Sequence, residues 1–181
     1  MDVFEAIKTR RSIRAFTKQD VSKEDVRKLL DAARWAPSAG NIQPWEFIVV
    51  RDPETKKELS TAALDQTFIE EAPVVIVVCA NLILSARGYG IRGSSLYCLQ
   101  DTAAAIQNML LAACALGLAT CWVGAFYEEE ARKVLNIPNG VRPIAIIPVG
   151  HPAEKPEAPY RRPLSEIVHH ENFRRRQRIE Y

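Results

Sequence analysis

The sequence predicts an α+β fold. Apolar, β-branched runs occur at 47–50, 73–79, 119–123 and 144–150, each long enough for a strand. The helical patterns between them do not follow the strict strand–helix–strand alternation of a doubly wound sheet. With 181 residues, no internal repeat and no composition break, residues 1–181 read as a single domain with a sizeable core.

Val3, Phe4 and Ile7 recur at helical spacing and form a first short helix, which delivers Arg10–Arg14. Ser22, three residues before Asp25, caps a helix running to about Trp35; Val26, Leu29, Leu30 and Ala33 form its apolar stripe, and Pro37 stops it. Phe47–Val50 reads as a buried strand, followed by a helix through Leu59 to about Leu64. Pro73–Cys79 is unbroken and apolar on both faces, as in a strand covered on both sides. Leu96–Leu118, rich in Ala, Leu and Met, predicts a long helix for a core or a subunit interface, with Gly117 as its terminator. Gln100, Asp101, Gln107 and Asn108 argue against that helix spanning a membrane. A strand at Ala119–Val123 precedes a helix whose first turn carries Glu128, Glu129 and Glu130, suited to the positive helix end. Ile144–Gly150 is another buried strand, with Pro148 limiting its pairing on one side. His151–Pro163, with Pro152, Pro156, Pro159 and Pro163, reads as an extended arm, and a last helix runs from Leu164 into Arg174-Arg175-Arg176.

A formal net charge of +2 is too small to argue for nucleic acid or an anionic membrane, and the Arg174–Arg178 tail reads as a solvated face. The acidic Asp2 and Glu5 are unlike a signal peptide, and no stretch approaches the roughly 20 apolar residues of a span, so a cytoplasmic protein is expected. Cys79, Cys98, Cys114 and Cys121 lack a C-x-x-C pair and read as buried free thiols. His151, His169 and His170 lack metal-ligand spacing, so no metal is expected. Gly88-Tyr89-Gly90-Ile91-Arg92-Gly93 matches G-x-G-x-x-G, but the preceding strand ends near Ala80 and Ala113 stands where a ribose-binding acid belongs. A mobile loop with Tyr89 as a lid fits that stretch better than a dinucleotide turn.

Two stretches carry chemistry. Arg10-Arg11-Ser12-Ile13-Arg14-Ala15-Phe16 places three cations and a hydroxyl in five positions, which suits a phosphate, although a solvated basic turn has the same composition. Pro37–Trp45 is dense in small and amide residues, built for close approach to a flat heterocycle or simply a well-capped loop.

R-R-S-x-R-x-F at 10–16, A-P-S-x-x-N-x-Q-P-W at 36–45 and L-G-L-x-x-C-W at 116–122, in that order, resemble the FMN-dependent nitroreductase family. The resemblance runs from Phe4 to about His169. It implies a three-layer nitroreductase-like fold: a central, mainly antiparallel sheet flanked by helices, in an intertwined homodimer with the active site at the interface. The arm and helix at about 151–181 would wrap the partner subunit. Residue by residue it implies that Arg10 and Ser12 hold the FMN phosphate and ribityl chain, with Arg11 contributing chiefly backbone, and that Arg14 lies near the flavin N1/O2 edge. Pro37, Ser38, Ala39, Asn41 and Gln43 would reach the flavin from the partner subunit. Val123 and Gly124 would bring backbone N–H groups to N5, and Arg161, with Arg162 beside it, would meet the phosphate. The chain departs from longer members at Asp65-Gln66-Thr67-Phe68, where Gln66 alone can bond the pyrimidine, and it lacks a helical excursion over the substrate pocket. The implied activity is hydride transfer from NADH or NADPH through flavin N5 to a quinone, flavin or nitroaromatic by a ping-pong mechanism. Its rivals are a flavin storage or sensing protein and a flavin-destructase or dehalogenase-type relative. No catalytic side chain is expected beyond the backbone contacts to N5.

Overall fold

The computed structural model describes residues 1–173. Four strands, β1 (Trp45–Val50), β2 (Val74–Asn81), β3 (Ala119–Thr120) and β4 (Val141–Gly150), form one antiparallel sheet in the order β1-β2-β4-β3. Eight helices accompany it among the described residues: α1 (Val3–Thr9), α2 (Lys23–Arg34), α3 (Pro53–Ala62), α4 (Phe68–Glu71), α5 (Leu82–Arg92), α6 (Cys98–Ala115), α7 (Glu128–Val134) and α8 (Leu164–Ile167).

The sheet is covered on both faces because its central strands are apolar over residues 74–80 and 143–150. Val74, Ile76 and Val78 of β2 join Ala145, Ile147 and Val149 of β4 against Val26, Leu29 and Ala33 of α2 and Ala105, Ile106 and Met109 of α6. The alternate residues Val75, Val77, Cys79 and Ile146 face the other way, onto Leu59, Ile69 and Ala131 from α3, α4 and α7. The result is three layers, with β1 at one edge; Val49 there is 40% exposed, so that strand is less buried than its composition suggests.

Local signals set the helix ends. Asp2, Ser22, Asp52 and Asn81 each accept a hydrogen bond from a first-turn backbone N–H. At the end of α6, Gly117 adopts φ +72, while its N–H donates to Cys114 and that of Leu118 donates to Ala113, the double closure that terminates a helix through a left-handed residue.

Three expectations change. The 88–93 stretch is helical, not a loop: α5 kinks at Tyr89 and Gly90 and continues through a π turn at Gly93–Tyr97 into α6, which therefore starts at Cys98 rather than Leu96. The kink is built from glycine, since Gly90 (φ 56, ψ −141) takes a conformation closed to other residues and a Cβ on Gly93 would collide with the Ser85 carbonyl. The last helix ends at Ile167, where Val168 turns extended; the expected continuation into Arg174-Arg175-Arg176 lies outside the described residues. The strand expected at Ala119–Val123 pairs continuously only through Thr120. Val123 resumes the same register opposite Ile146, and the interruption falls where Cys121 faces Pro148. Ile146 exchanges both hydrogen bonds with Val123, so Pro148, two residues on, turns the same side towards Cys121 and has no N–H to offer.

Gly117→Ala isolates the cost of backbone conformation, because nothing lies within 4 Å of the added methyl. The expected loss is about 1 kcal/mol, read as a lower urea midpoint at unchanged slope.

Candidate functional site

The residues after α1 run alongside the β3 edge. Ile13 donates its N–H to the Thr120 carbonyl at 3.0 Å and Ser12 bridges Thr120 in parallel. On the other side the arm after β4 closes over the same segment: Thr17 donates to His151, Ala153 donates to Ala15, and Phe16 bridges Pro152. Glu154 completes the clamp, one carboxylate oxygen accepting from the backbone N–H groups of Arg14 (2.5 Å) and Ala15 (3.2 Å).

This arrangement gathers Arg10, Arg11, Ser12, Arg14 and Arg161 around one cleft of about 330 Å³, with Pro156, Glu157 and Pro159 from the arm. Arg11 is turned back on its own chain and donates to the carbonyls of Lys8 and Arg10, at the C-terminal end of α1. Arg14 lies over the Phe68 ring at 5.8 Å, and among the described residues Arg161 reaches the carbonyls of Pro159 and Tyr160. Among the described residues no carboxylate forms an ion pair with Arg10, Arg11, Arg14 or Arg161. Cationic groups facing one cleft without ion-pair partners suit an anionic ligand.

Beneath the cluster lies Cys121, 2% exposed. Burial pushes its thiol pKa up, against the opposing pull of Arg14, the Ser12 hydroxyl and Arg10. Burial also pushes Cys79 up to about 12.

The other expected residues lie elsewhere. Arg162 bonds Glu166 through its side chain and backbone carbonyl, bracing α8 instead of lining the cleft. The Gln66 amide nitrogen donates to the carbonyls of Ala63 and Ala125, tying the end of α3 to the turn after Gly124. Val123 is buried and its N–H donates to Ile146, so of the two backbone groups expected to face N5 only that of exposed Gly124 remains for a ligand. None of Pro37, Ser38, Ala39, Asn41 or Gln43 lines the arginine cleft; Asn41 and Gln43 instead border a separate hollow with Arg34, Trp35 and Ala36. Their loop is held in an unusual shape, with φ near +55 at Gly40, Asn41 and Gln43. Within it Ser38 Oγ accepts from the Gln43 N–H, and the Gln43 side chain donates to the Asn41 carbonyl.

Two carboxylates that shape these segments were not predicted: Glu154, and Asp101 of α6, which accepts from the Ala39 N–H at 3.1 Å. Asp101 carried a signal, being a lone acid on a largely apolar helix. Glu154, in a polar arm, carried none.

A helix-covered antiparallel sheet with a cationic cleft at its edge defines the class: an α+β protein whose cleft suits an anionic ligand. The nitroreductase family model matches two overlapping stretches, residues 7–75 and 62–151. A Methanothermobacter thermautotrophicus protein whose name places it among NADH dehydrogenase/NAD(P)H nitroreductases is 42% identical, covering 86% of this chain and 80% of its own. An FMN reductase (NADPH) from Bacillus subtilis is 33% identical over 94% of this chain and 74% of its own. The structure of NfrA2 from B. megaterium superposes with a TM-score of 0.89 at 30% identity, covering 96% of this chain and 76% of that one. The chain belongs to the nitroreductase family and has its α+β fold; it is an oxidoreductase.

At pH 8 iodoacetamide should label the partly exposed Cys114 first and leave Cys79, Cys98 and Cys121 unmodified until the protein unfolds. Peptide mapping by mass spectrometry reads the order.

Proposed function

We propose that the chain is an FMN-dependent oxidoreductase that takes reducing equivalents from NADH or NADPH and passes them to a quinone, flavin or nitroaromatic by a ping-pong mechanism. The observation that carries this reading is the cleft where Arg10, Arg14 and Arg161 converge without ion-pair partners among the described residues. The names of its relatives, FMN reductase and NAD(P)H nitroreductase, support it.

FMN, when bound, supplies the redox chemistry. The chain's own residues bind and orient it. Arg10, Ser12 and Arg161 hold the phosphate and the neighbouring hydroxyls, where charge-assisted hydrogen bonds contribute on the order of 1.5–3 kcal/mol each. Arg14 stabilises the negative charge of the reduced cofactor, and the Gly124 N–H meets the reacting edge of the ring. The loop from Pro37 to Gln43 completes the pocket from a second copy of the chain. Its absence from the lining of the arginine cleft supports that arrangement, as do Val3, Phe4, Ile7 and Trp35, apolar side chains each more than half exposed on one chain. Gln66 serves the turn after Gly124 and Arg162 serves α8. Four unbridged cysteines fit a cytoplasmic setting.

The test is an anaerobic spectrum of FMN-reconstituted protein before and after NADPH or NADH. Prompt bleaching near 450 nm is expected; bound flavin that stays oxidised with both donors would point to a flavin carrier, and absence of flavin binding would refute the reading. Arg14→Ala should raise the FMN dissociation constant about tenfold or more, in line with losing one charge-assisted contact, and should lower the flavin potential.

A further inference from the structure

Asp101 has features that the reading above does not use. It lies in the first turn of α6, is 7% exposed, and sits on a helix whose buried positions are otherwise Cys98, Thr102, Ala105, Ile106, Met109, Leu110 and Ala113. One oxygen, Oδ1, accepts from the Ala39 N–H, 62 positions away in sequence; the other, Oδ2, is buried with no hydrogen-bond partner among the described residues. Removing a carboxylate from water for a single backbone hydrogen bond is costly. That cost weighs on the pKa of Asp101, which burial pushes upward and the Ala39 N–H pulls back. A neutral small residue would fill the helix position without that penalty, so the contact with Ala39 is what distinguishes this side chain.

Ala39 is where the loop leaves the extended Ser38 (φ −142, ψ 154) and enters the left-handed run at Gly40 and Asn41. Left-handed conformations at Asn41 and Gln43 cost free energy and persist only when their surroundings impose them. Two further contacts bear on the same turn, both from the kink in α5. Tyr89 lies so close that a Cβ on Gly40 would be 2.6 Å from its hydroxyl, and Ile42 occupies the space that a side chain on Gly88 would need. These contacts are steric and can slide. Ser38 and Gln43 add hydrogen bonds within the loop, but among the described contacts that hold the turn against α5 and α6 the bond that Asp101 accepts from Ala39 is the directional one.

We infer that Asp101 is a positioning residue: by fixing the Ala39 N–H it sets the left-handed turn through which Asn41 and Gln43 are presented to the cofactor. The inference rests on the flavin reading for its consequence, but the clamp itself does not depend on flavin. Asp101 touches no cofactor; it acts through Ala39. The substitution that matters removes the acceptor, whereas Asp101→Asn keeps an oxygen at the same place.

The experiment compares wild type, Asp101→Ala, Asp101→Leu and Asp101→Asn by FMN fluorescence titration, visible circular dichroism of the bound flavin, and exchange of the Ala39 amide by NMR. The Ala and Leu variants are expected to bind FMN about tenfold more weakly with an altered flavin dichroism and a rapidly exchanging Ala39 amide. The Asn variant is expected to restore affinity to within about threefold and to keep the amide protected. Wild-type affinity and dichroism in the Ala and Leu variants would overturn the inference. So would failure of both to fold while Asn folds, since Asp101 would then serve the core rather than the loop. If the wild type binds no FMN, the flavin reading falls, and Ala39 exchange alone decides the clamp: protection lost in Ala and Leu but kept in Asn supports it, and protection unchanged in all four overturns it.

Discussion

Ile13 gives its backbone N–H to Thr120, and the placement of the cationic segment follows from that bond. The segment from Arg10 to Arg14 is too short and too charged to fold on its own, and it has no ladder of its own. It is held as a partial strand beside β3 and covered by the arm after β4, with Glu154 fastening Arg14 and Ala15 from above. Three distant parts of the chain meet there: the end of α1, the strand leaving α6, and the arm that carries Arg161. The arginines are therefore presented by fixed backbone rather than by flexible side chains alone, which lowers the entropy lost when an anion is gripped.

The two central strands were legible because a residue buried on either face must be apolar, and the runs at 73–79 and 144–150 contain little else. The caps at Ser22 and Gly117 were legible for a local reason, since each closes bonds within a few residues. α5 was not. Gly88 and Gly90 weaken helix propensity, and the reasons glycine is favoured there, Ile42 packed over Gly88 and the left-handed kink at Gly90, belong to the folded chain. The arginine cluster could be read from composition, but its clamp could not, because Glu154 and Arg14 are 140 residues apart. Asp101 illustrates the same limit. An acid on an apolar helix shows that something unusual is needed, while the identity of its partner is a property of the folded chain. Likewise the Val123 amide was expected at the cofactor because the motif places it there, yet the register of β3 against β4 commits it to Ile146.

The two segments expected to serve one cofactor do not line a common cleft in a single chain. The arginine cleft opens at the β3 side of the sheet, while the Pro37–Gln43 loop leads into β1 at the opposite edge and is governed by α5 and α6. Such a division means that the two segments take their shapes from different neighbours, the arginines from β3 and the arm after β4, the loop from α5 and α6.

Pro148 has a consequence for the turn that carries Gly124. Any other residue at that buried position would bring an N–H facing Cys121, in a register that already continues to Val123. The edge strand would then zip into one uninterrupted ladder, and residues 121–124 would inherit the stiffness and twist of the sheet. With proline there, the segment is pinned at Thr120 and again at Val123 but spans the interval unbonded to β4, like a strap fastened at two rivets. Its middle can therefore change curvature without stranding an N–H on the buried strand β4, so the course of the segment that leads to Gly124 is uncoupled from the sheet beneath it.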